Sequence, residues 1–183
     1  RCITLPISEN TNSDFAVCLA ISGLTPIVDV ISSDFHYRTM DAICNTMAHH
    51  ETVQEPRTII VRAEFMLGGP TSGQRMESMF AHVPGLRVVV PSCAKDAYDL
   101  MIAALEHKGV TLFFEDRDIP DELLAEEENQ ELEKPLSPDI TVVTYGLMRP
   151  IVARALRGRD DVTLIDIQYL APLPMTRIIE SVE

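Results

Sequence analysis

Leu86-Arg87-Val88-Val89-Val90-Pro91-Ser92, a helical interval over Lys95–His107, and then Val110-Thr111-Leu112-Phe113-Phe114 form the stretch that decides the fold. The two flanking runs are short, nearly continuous, and rich in β-branched and aromatic residues. Such runs suit strands buried on both faces, as a parallel sheet demands. Between them the apolar residues fall at helical spacing. Ser92, just after Pro91, marks a helix start, and Gly109 marks its end. Strand, helix, strand in so few residues calls for a right-handed crossover in an open, mostly parallel α/β sheet flanked by helices.

The alternation continues outward. Toward the N-terminus, strands are read at Ile3–Leu5, Pro26–Ile31 and Thr58–Val61, with helices over roughly Ser13–Ser22, Asp34–His49 and Gln74–His82. Gly23 closes the first helix. In Asp34–His49, the residues Met40, Ile43, Cys44 and Met47 recur at helical spacing and read as a core-facing stripe. Toward the C-terminus the chain turns acidic. It then gives a strand at Ile140–Tyr145, a helix at Met148–Leu156, a strand at Val162–Ile167 and a last helix from about Pro174. The expected organisation is a first domain over residues 1–116, an acidic linker over 117–136 and the start of a second α/β domain over 137–183. The chain opens on Arg1 rather than Met and is read as a piece of a longer protein.

Charge narrows the function classes. The 183 residues carry 28 acidic against 15 basic side chains, a net −13. Binding of nucleic acid through a basic surface is therefore not expected. Between Glu115 and Glu133 lie ten acidic residues and one basic one, Arg117, so this run alone contributes −9 and the remainder only −4. The run reads as a solvated crossing between domains. No apolar run reaches the roughly eighteen residues of a membrane helix, so no membrane partner is expected. Cys2, Cys18, Cys44 and Cys93 form no CxxC pair, which argues against a disulfide framework or a zinc site and for a reducing, cytoplasmic home.

Familiar catalytic motifs are absent: no GxGxxG, phosphate loop, GxSxG elbow or HExxH. Gly68-Gly69-Pro70 reads as a turn, and the five histidines are scattered. One carboxylate stands out. Glu9 comes directly after Ile3-Thr4-Leu5-Pro6-Ile7-Ser8, at the carboxyl end of an expected strand and the mouth of a helix, where ligands of open α/β sheets bind. The same position also suits an acidic residue stabilised by the helix dipole. From the residues alone, both readings stay open.

Several segments together resemble one family. After Leu5-Pro6-Ile7-Ser8-Glu9 come, at the right distance, Ala20-Ile21-Ser22-Gly23-Leu24-Thr25-Pro26-Ile27 and then Asp34-Phe35 ahead of a helix containing Met40-Asp41. The most specific segment is Phe80-Ala81-His82-Val83-Pro84-Gly85-Leu86-Arg87-Val88-Val89-Val90-Pro91-Ser92. Phe113-Phe114-Glu115 and Asp139-Ile140-Thr141-Val142-Val143-Thr144-Tyr145-Gly146 complete the line. In this order and spacing the chain resembles the beta subunits of 2-oxo acid dehydrogenases (pyruvate, branched-chain and acetoin), thiamine-diphosphate enzymes of the transketolase-like superfamily.

That resemblance implies a transketolase-like pyrimidine-binding domain and, after it, part of a transketolase C-terminal domain. It implies a thiamine-diphosphate-dependent decarboxylation of a 2-oxo acid, with transfer of the acyl group to a lipoyl-bearing acyltransferase. Glu9 matches the catalytic glutamate that hydrogen-bonds N1′ of the aminopyrimidine. Phe35 matches the ring that stacks on the pyrimidine, and Ile7 lines the same pocket. The GDG…N motif that holds diphosphate and Mg²⁺ is missing from this sequence. The resemblance assigns that motif, and the Mg²⁺, to an alpha subunit, with the cofactor shared across the interface of an α2β2 heterotetramer. In a eukaryote the expected compartment becomes the mitochondrial matrix.

The chain also departs from the pattern. In the loop after the strand at Thr58–Val61, Ser72 stands where the family has a histidine that contacts substrate, with Gln74 two residues on. The preceding stretch, Ala63–Gly69, is shorter than usual, as is the region of His49-His50-Glu51-Thr52. Asp14, Cys18 and Leu19 replace small residues of the first helix. Two other functions remain open at this point. One is a split transketolase-like or deoxyxylulose-phosphate-synthase-like carboligase subunit; the other is a non-catalytic partner that keeps the fold.

Overall fold

The computed structural model describes residues 1–49, 56–66, 73–119 and 139–182. Its centre is a five-stranded sheet in the order β1-β2-β4-β3-β7. Four strands run parallel: β1 (Ile27–Ser32), β2 (Ile59–Phe65), β3 (Leu86–Val89) and β4 (Val110–Asp116). β2 and β4 hold the middle, and their apolar runs are buried on both faces. One face, with Val61, Ala63, Phe65, Leu112 and Phe114, packs on Ala16, Val17 and Ala20 of α1 (Glu9–Ile21) and on Ile43 and Met47. The opposite face sets Ile60, Val89 and Phe113 against Leu100 and Ala104 of the helix Ala94–Glu106. The α/β class expected from the sequence is the class the chain forms.

Several expected boundaries move, each for a physical reason. Ile3–Leu5 is not a strand; both apolar side chains are exposed, and no described strand offers them a ladder. Glu9 consequently does not end a strand. It is the first residue of α1, which starts four residues before the expected Ser13. Asp34–His49 is not one regular helix: a 3-10 turn at Ser33–Phe35 leads into α2 (His36–Asp41) and then into π-helical turns at Ala42–Met47. Its predicted stripe is nonetheless internal, with Ile43 and Met47 buried and Met40 and Cys44 packed against the core. The helix expected over Gln74–His82 shrinks to one turn, α3 (Glu77–Phe80). The helix Ala94–Glu106, α4, is capped by Cys93, whose Sγ accepts from the Asp96 N–H at 3.5 Å. Ser92 does not cap it, because its hydroxyl donates to Asp166 instead.

The exit of β1 positions the site. Ile31 has φ of +70°, a left-handed conformation that a β-branched side chain resists. The pairing of β1 with β2 slips register between Asp29 and Ser32. The chain therefore leaves the sheet edge sharply and enters the 3-10 turn that carries Phe35.

Beyond residue 139 a two-stranded parallel sheet pairs β5 (Ile140–Thr144) with β6 (Val162–Asp166), covered by α5 (Met148–Ala155). One strand has no counterpart among those expected from the sequence. β7 (Tyr169–Ala171) returns to the first sheet and pairs antiparallel with β3, ahead of α6 (Met175–Glu180). The expected acidic linker lies, from residue 120 to 136, outside the described residues. Among the described residues no helix is long and apolar enough to cross a membrane.

Candidate active site

Glu9 and Phe35, 26 residues apart in sequence, line one cleft of about 390 Å³ together with Ile7, Ser8, Asn10 and Arg38. Two local structures build it. The first is the start of α1: Ser8 precedes the helix, the Asn12 side chain donates to the Pro6 carbonyl at 3.2 Å, and the Ser13 hydroxyl donates to the Glu9 carbonyl at 2.8 Å. These bonds fix the backbone on both sides of Glu9. An acidic residue in a first helical turn is also favoured by the helix dipole, so the structural and functional readings of Glu9 coincide at one position. The second is the turn and helix Ser33–Asp41, which presents Phe35 and, one turn later, Arg38.

The cleft is open. Ile7 is 92% exposed and Phe35 42% exposed. Phe35 is therefore not an ordinary core aromatic. His36, its neighbour, is the residue that faces inward. Its ring meets Phe80 and Phe114 edge-on at centroid distances of 5.3 and 5.1 Å, and Nδ1 lies 3.0 Å from the Thr39 hydroxyl. Burial pushes its pKa down to about 4.

Gln74 does not line this cleft, yet it is tied to the wall that does. The Asp34 carboxylate accepts the N–H groups of Gly73 and Gln74 at 3.1 and 3.2 Å, and the Ser32 hydroxyl at 2.9 Å. Burial alone would raise the Asp34 pKa, but these donors together hold it below the ordinary value. Ser33 donates to the Gln74 carbonyl, and the Tyr37 hydroxyl donates to Gln74 Oε1 at 2.9 Å. Ser72 and His50 lie outside the described residues.

The residue after Gln74 faces the opposite way. The Arg75 guanidinium pairs with Glu77 at 3.0 Å and with Asp116 at 2.9 Å, and lies 3.8 Å from the centroid of the Phe65 ring. Tyr145 donates to Glu77 at 3.1 Å, and the Leu147 N–H donates to Asp116 at 3.1 Å. Gly146, at φ of +57°, fits so closely that a Cβ there would sit 3.0 Å from Asp116 Oδ2 and 3.1 Å from a Val90 methyl. Segment 73–77 thus connects the cleft wall to the β5–α5 turn. Sequence reasoning missed Asp34, Arg38 and this clamp. Arg38 had a signal, its helical spacing from Phe35; the clamp joins residues up to 72 apart in sequence (Arg75 to Leu147) and had none.

Residues 1–120 match the family described as the transketolase pyrimidine-binding domain. The chain belongs to this family. The chain is 26% identical over 208 residues to the mitochondrial 2-oxoisovalerate dehydrogenase subunit beta of Dictyostelium discoideum, covering all of itself and 55% of that protein. It is 31% identical over 201 residues to the pyruvate dehydrogenase E1 component subunit beta of Chaetosphaeridium globosum, again along its whole length and over 61% of that protein. It therefore spans rather more than half the length of these curated relatives. A solved split gene transketolase, an inactive beta4 tetramer, shares the fold with a TM-score of 0.78 at 18% identity, covering 96% of this chain and 59% of that one. The similarity to 2-oxo acid dehydrogenase beta subunits agrees with the resemblance read from the sequence.

Proposed function

We propose that this chain is the pyrimidine-binding part of the beta subunit of a thiamine-diphosphate-dependent 2-oxo acid dehydrogenase. The observation that carries the reading is the cleft: a carboxylate, an aromatic ring and an apolar side chain meet on one open face of a family member whose relatives bear those names. A hydrogen-bonding carboxylate beside a flat ring is a donor set that fits an aminopyrimidine. Held there by Glu9, Phe35 and Ile7, thiamine diphosphate would supply the nucleophilic carbon and the electron sink that decarboxylation of a 2-oxo acid needs.

The chain's own residues have narrower tasks. Glu9 would hydrogen-bond the N1′ edge of the aminopyrimidine and hold or release a proton there. Phe35 stacks on the ring, and Ile7 shields it from water once covered. Gln74, with Ser72, belongs to the loop that meets substrate. Ile7 at 92% exposure cannot exclude water by itself, which supports a site completed by an alpha subunit holding diphosphate and Mg²⁺ through its GDG…N motif. An α2β2 assembly passing acyl groups to a lipoyl-bearing acyltransferase accords with that reading. So does the division at residues 116 and 137, with the second part being the start of a transketolase-like C-terminal domain.

The test is reconstitution with the alpha chain and measurement of 2-oxo acid-dependent dye reduction. Loss of a positioned proton-transfer group costs about 10²–10⁴-fold, so Glu9→Gln should lower turnover by that factor while the complex still assembles. Near-normal turnover in Glu9→Gln rejects the role of Glu9. A wild-type complex that exchanges the thiazolium proton no faster than free cofactor would make the chain a non-catalytic partner.

A further inference from the structure

Arg38 lines the Glu9 cleft, and among the described residues its guanidinium has no counter-ion. Arg38 lies one helical turn beyond Phe35, so the two share a helix face, and it lines the cleft with Ile7, Ser8, Glu9 and Asn10. Among the described residues it forms no ion pair, although Arg62, Arg75, Arg117 and Arg159 each hold a carboxylate. Arg1, Lys108 and Arg154 likewise form no ion pair among the described residues, so what sets Arg38 apart is its place in the cleft lining. Glu9 is the one acid among the lining residues, and it does not pair with Arg38. The lining therefore includes a carboxylate, an aromatic ring and a guanidinium.

In a thiamine-diphosphate site, Glu9 and Phe35 are occupied by the aminopyrimidine. Arg38 is left for something negative. Covering the cleft removes water from the guanidinium and leaves an uncompensated charge unless an anion meets it. A guanidinium meets a carboxylate with two parallel N–H···O bonds, which makes it a geometric filter as well as a charge.

We propose that Arg38 selects substrates with a second anionic group, a carboxylate remote from the reacting 2-oxo acid end. The reacting carboxylate is the wrong occupant. Decarboxylation disperses its charge, so a cation fixed upon it stabilises the ground state more than the transition state. A remote carboxylate is held alike in both states and should appear mainly in KM. This substrate class rests on the assignment of the cleft to a 2-oxo acid dehydrogenase.

The test uses the complex assembled with the alpha subunit, thiamine diphosphate and Mg²⁺, and two acids of equal carbon count, 2-oxoglutarate and 2-oxopentanoate. A charge-assisted pair contributes on the order of 10–100-fold. The ratio of kcat/KM for 2-oxoglutarate over 2-oxopentanoate should fall by about that factor in Arg38→Gln, chiefly through KM, and recover in part in Arg38→Lys. A ratio unchanged by Arg38→Gln overturns the proposal. A second arm needs no turnover: calorimetry of glutarate against pentanoate, with wild-type and Arg38→Gln complexes. Selective glutarate binding that Arg38→Gln removes supports the anion site even where no 2-oxo acid is consumed, a result that rejects the dehydrogenase reading alone. If Arg38→Gln loosens the complex in sedimentation while glutarate binding stays the same, the guanidinium pairs with the alpha subunit and the proposal fails.

Discussion

The Glu9 cleft lies beside the edge strand β1 and the Arg75 clamp at the ends of the central strands β2 and β4, and the two are finished to different degrees. In the clamp, a guanidinium, two carboxylates, a phenol and a backbone N–H satisfy one another within a single chain, and Glu77 and Asp116 are nearly inaccessible to water. In the cleft, the carboxylate is half-buried, the isoleucine lies almost bare and the guanidinium has no partner among the described residues. Folding alone completes the first. The second has the composition of a surface that another molecule must complete, because exposed apolar groups and unmatched charge together are resolved by burial against a partner.

The sharpest way to break this contrast is to open the clamp. Removing one partner of a buried ion pair costs about 3–5 kcal/mol; Arg75 is 40% exposed, so Arg75→Ala should destabilise the isolated chain by roughly 2–3 kcal/mol after allowing for solvent. Denaturant unfolding measures it. A shift below about 0.5 kcal/mol, the level of an ordinary surface change, would show that the clamp is no more finished than the cleft.

A second comparison uses two titratable groups, half-buried Asp166 and buried His36. Asp166, on β6, accepts from Ser92 at 2.9 Å. Burial raises its pKa from 3.8 to about 6, Ser92 opposing and Asp96 adding to the rise, with Arg149 and Arg177 opposing it. Because the folded value is raised, its contribution to stability is fully present below pH 3.8 and is lost as pH rises through about 6. His36, behind the cleft, has its folded value lowered from 6.5 to about 4, so its contribution is fully present above pH 6.5 and lost as pH falls through about 4. Asp166→Asn keeps the acceptor for Ser92 and should add on the order of 2 kcal/mol near pH 7, leaving the His36 slope alone between pH 6.5 and 4. Stability against pH for both proteins checks this; a variant no more stable than wild type at pH 7 would contradict it.

The smallest effect is the most discriminating for the cleft. Ile7→Ser should change the stability of the isolated chain by less than about 0.5 kcal/mol, as a surface substitution does, while weakening association with the alpha subunit in sedimentation. A large loss of stability in the chain alone would place Ile7 in the core of this subunit rather than at its open face.

Much of the fold was legible in the residues. Val110–Phe114 and Leu86–Val90 are apolar almost without interruption, which only strands covered on both sides tolerate, so local pattern alone implied the parallel sheet and the crossover helix between them. The stripe Met40, Ile43, Cys44, Met47 was legible for the same reason. Glu9 stood out by position and was given a role by resemblance, Ile7 and Phe35 by resemblance alone, and the fold brings the three to one cleft. The strand expected at Ile3–Leu5 failed because a strand is a property of its neighbour: an extended apolar triplet with nothing to pair with stays in coil. β7 was missed for the complementary reason, since Tyr169–Ala171 is too short to declare itself and is a strand only because β3 offers its edge. The opposed uses of Gln74 and Arg75 lay equally beyond the sequence. One is held by Ser33, Asp34 and Tyr37, the other by Asp116 and Phe65, and contacts of such separation depend on distances that no local pattern encodes. Periodicity thus determined the class of fold, because it acts over a few residues, and resemblance supplied the residues of the site. Which face stayed open, and which polar groups found partners, was decided only when the strands assembled.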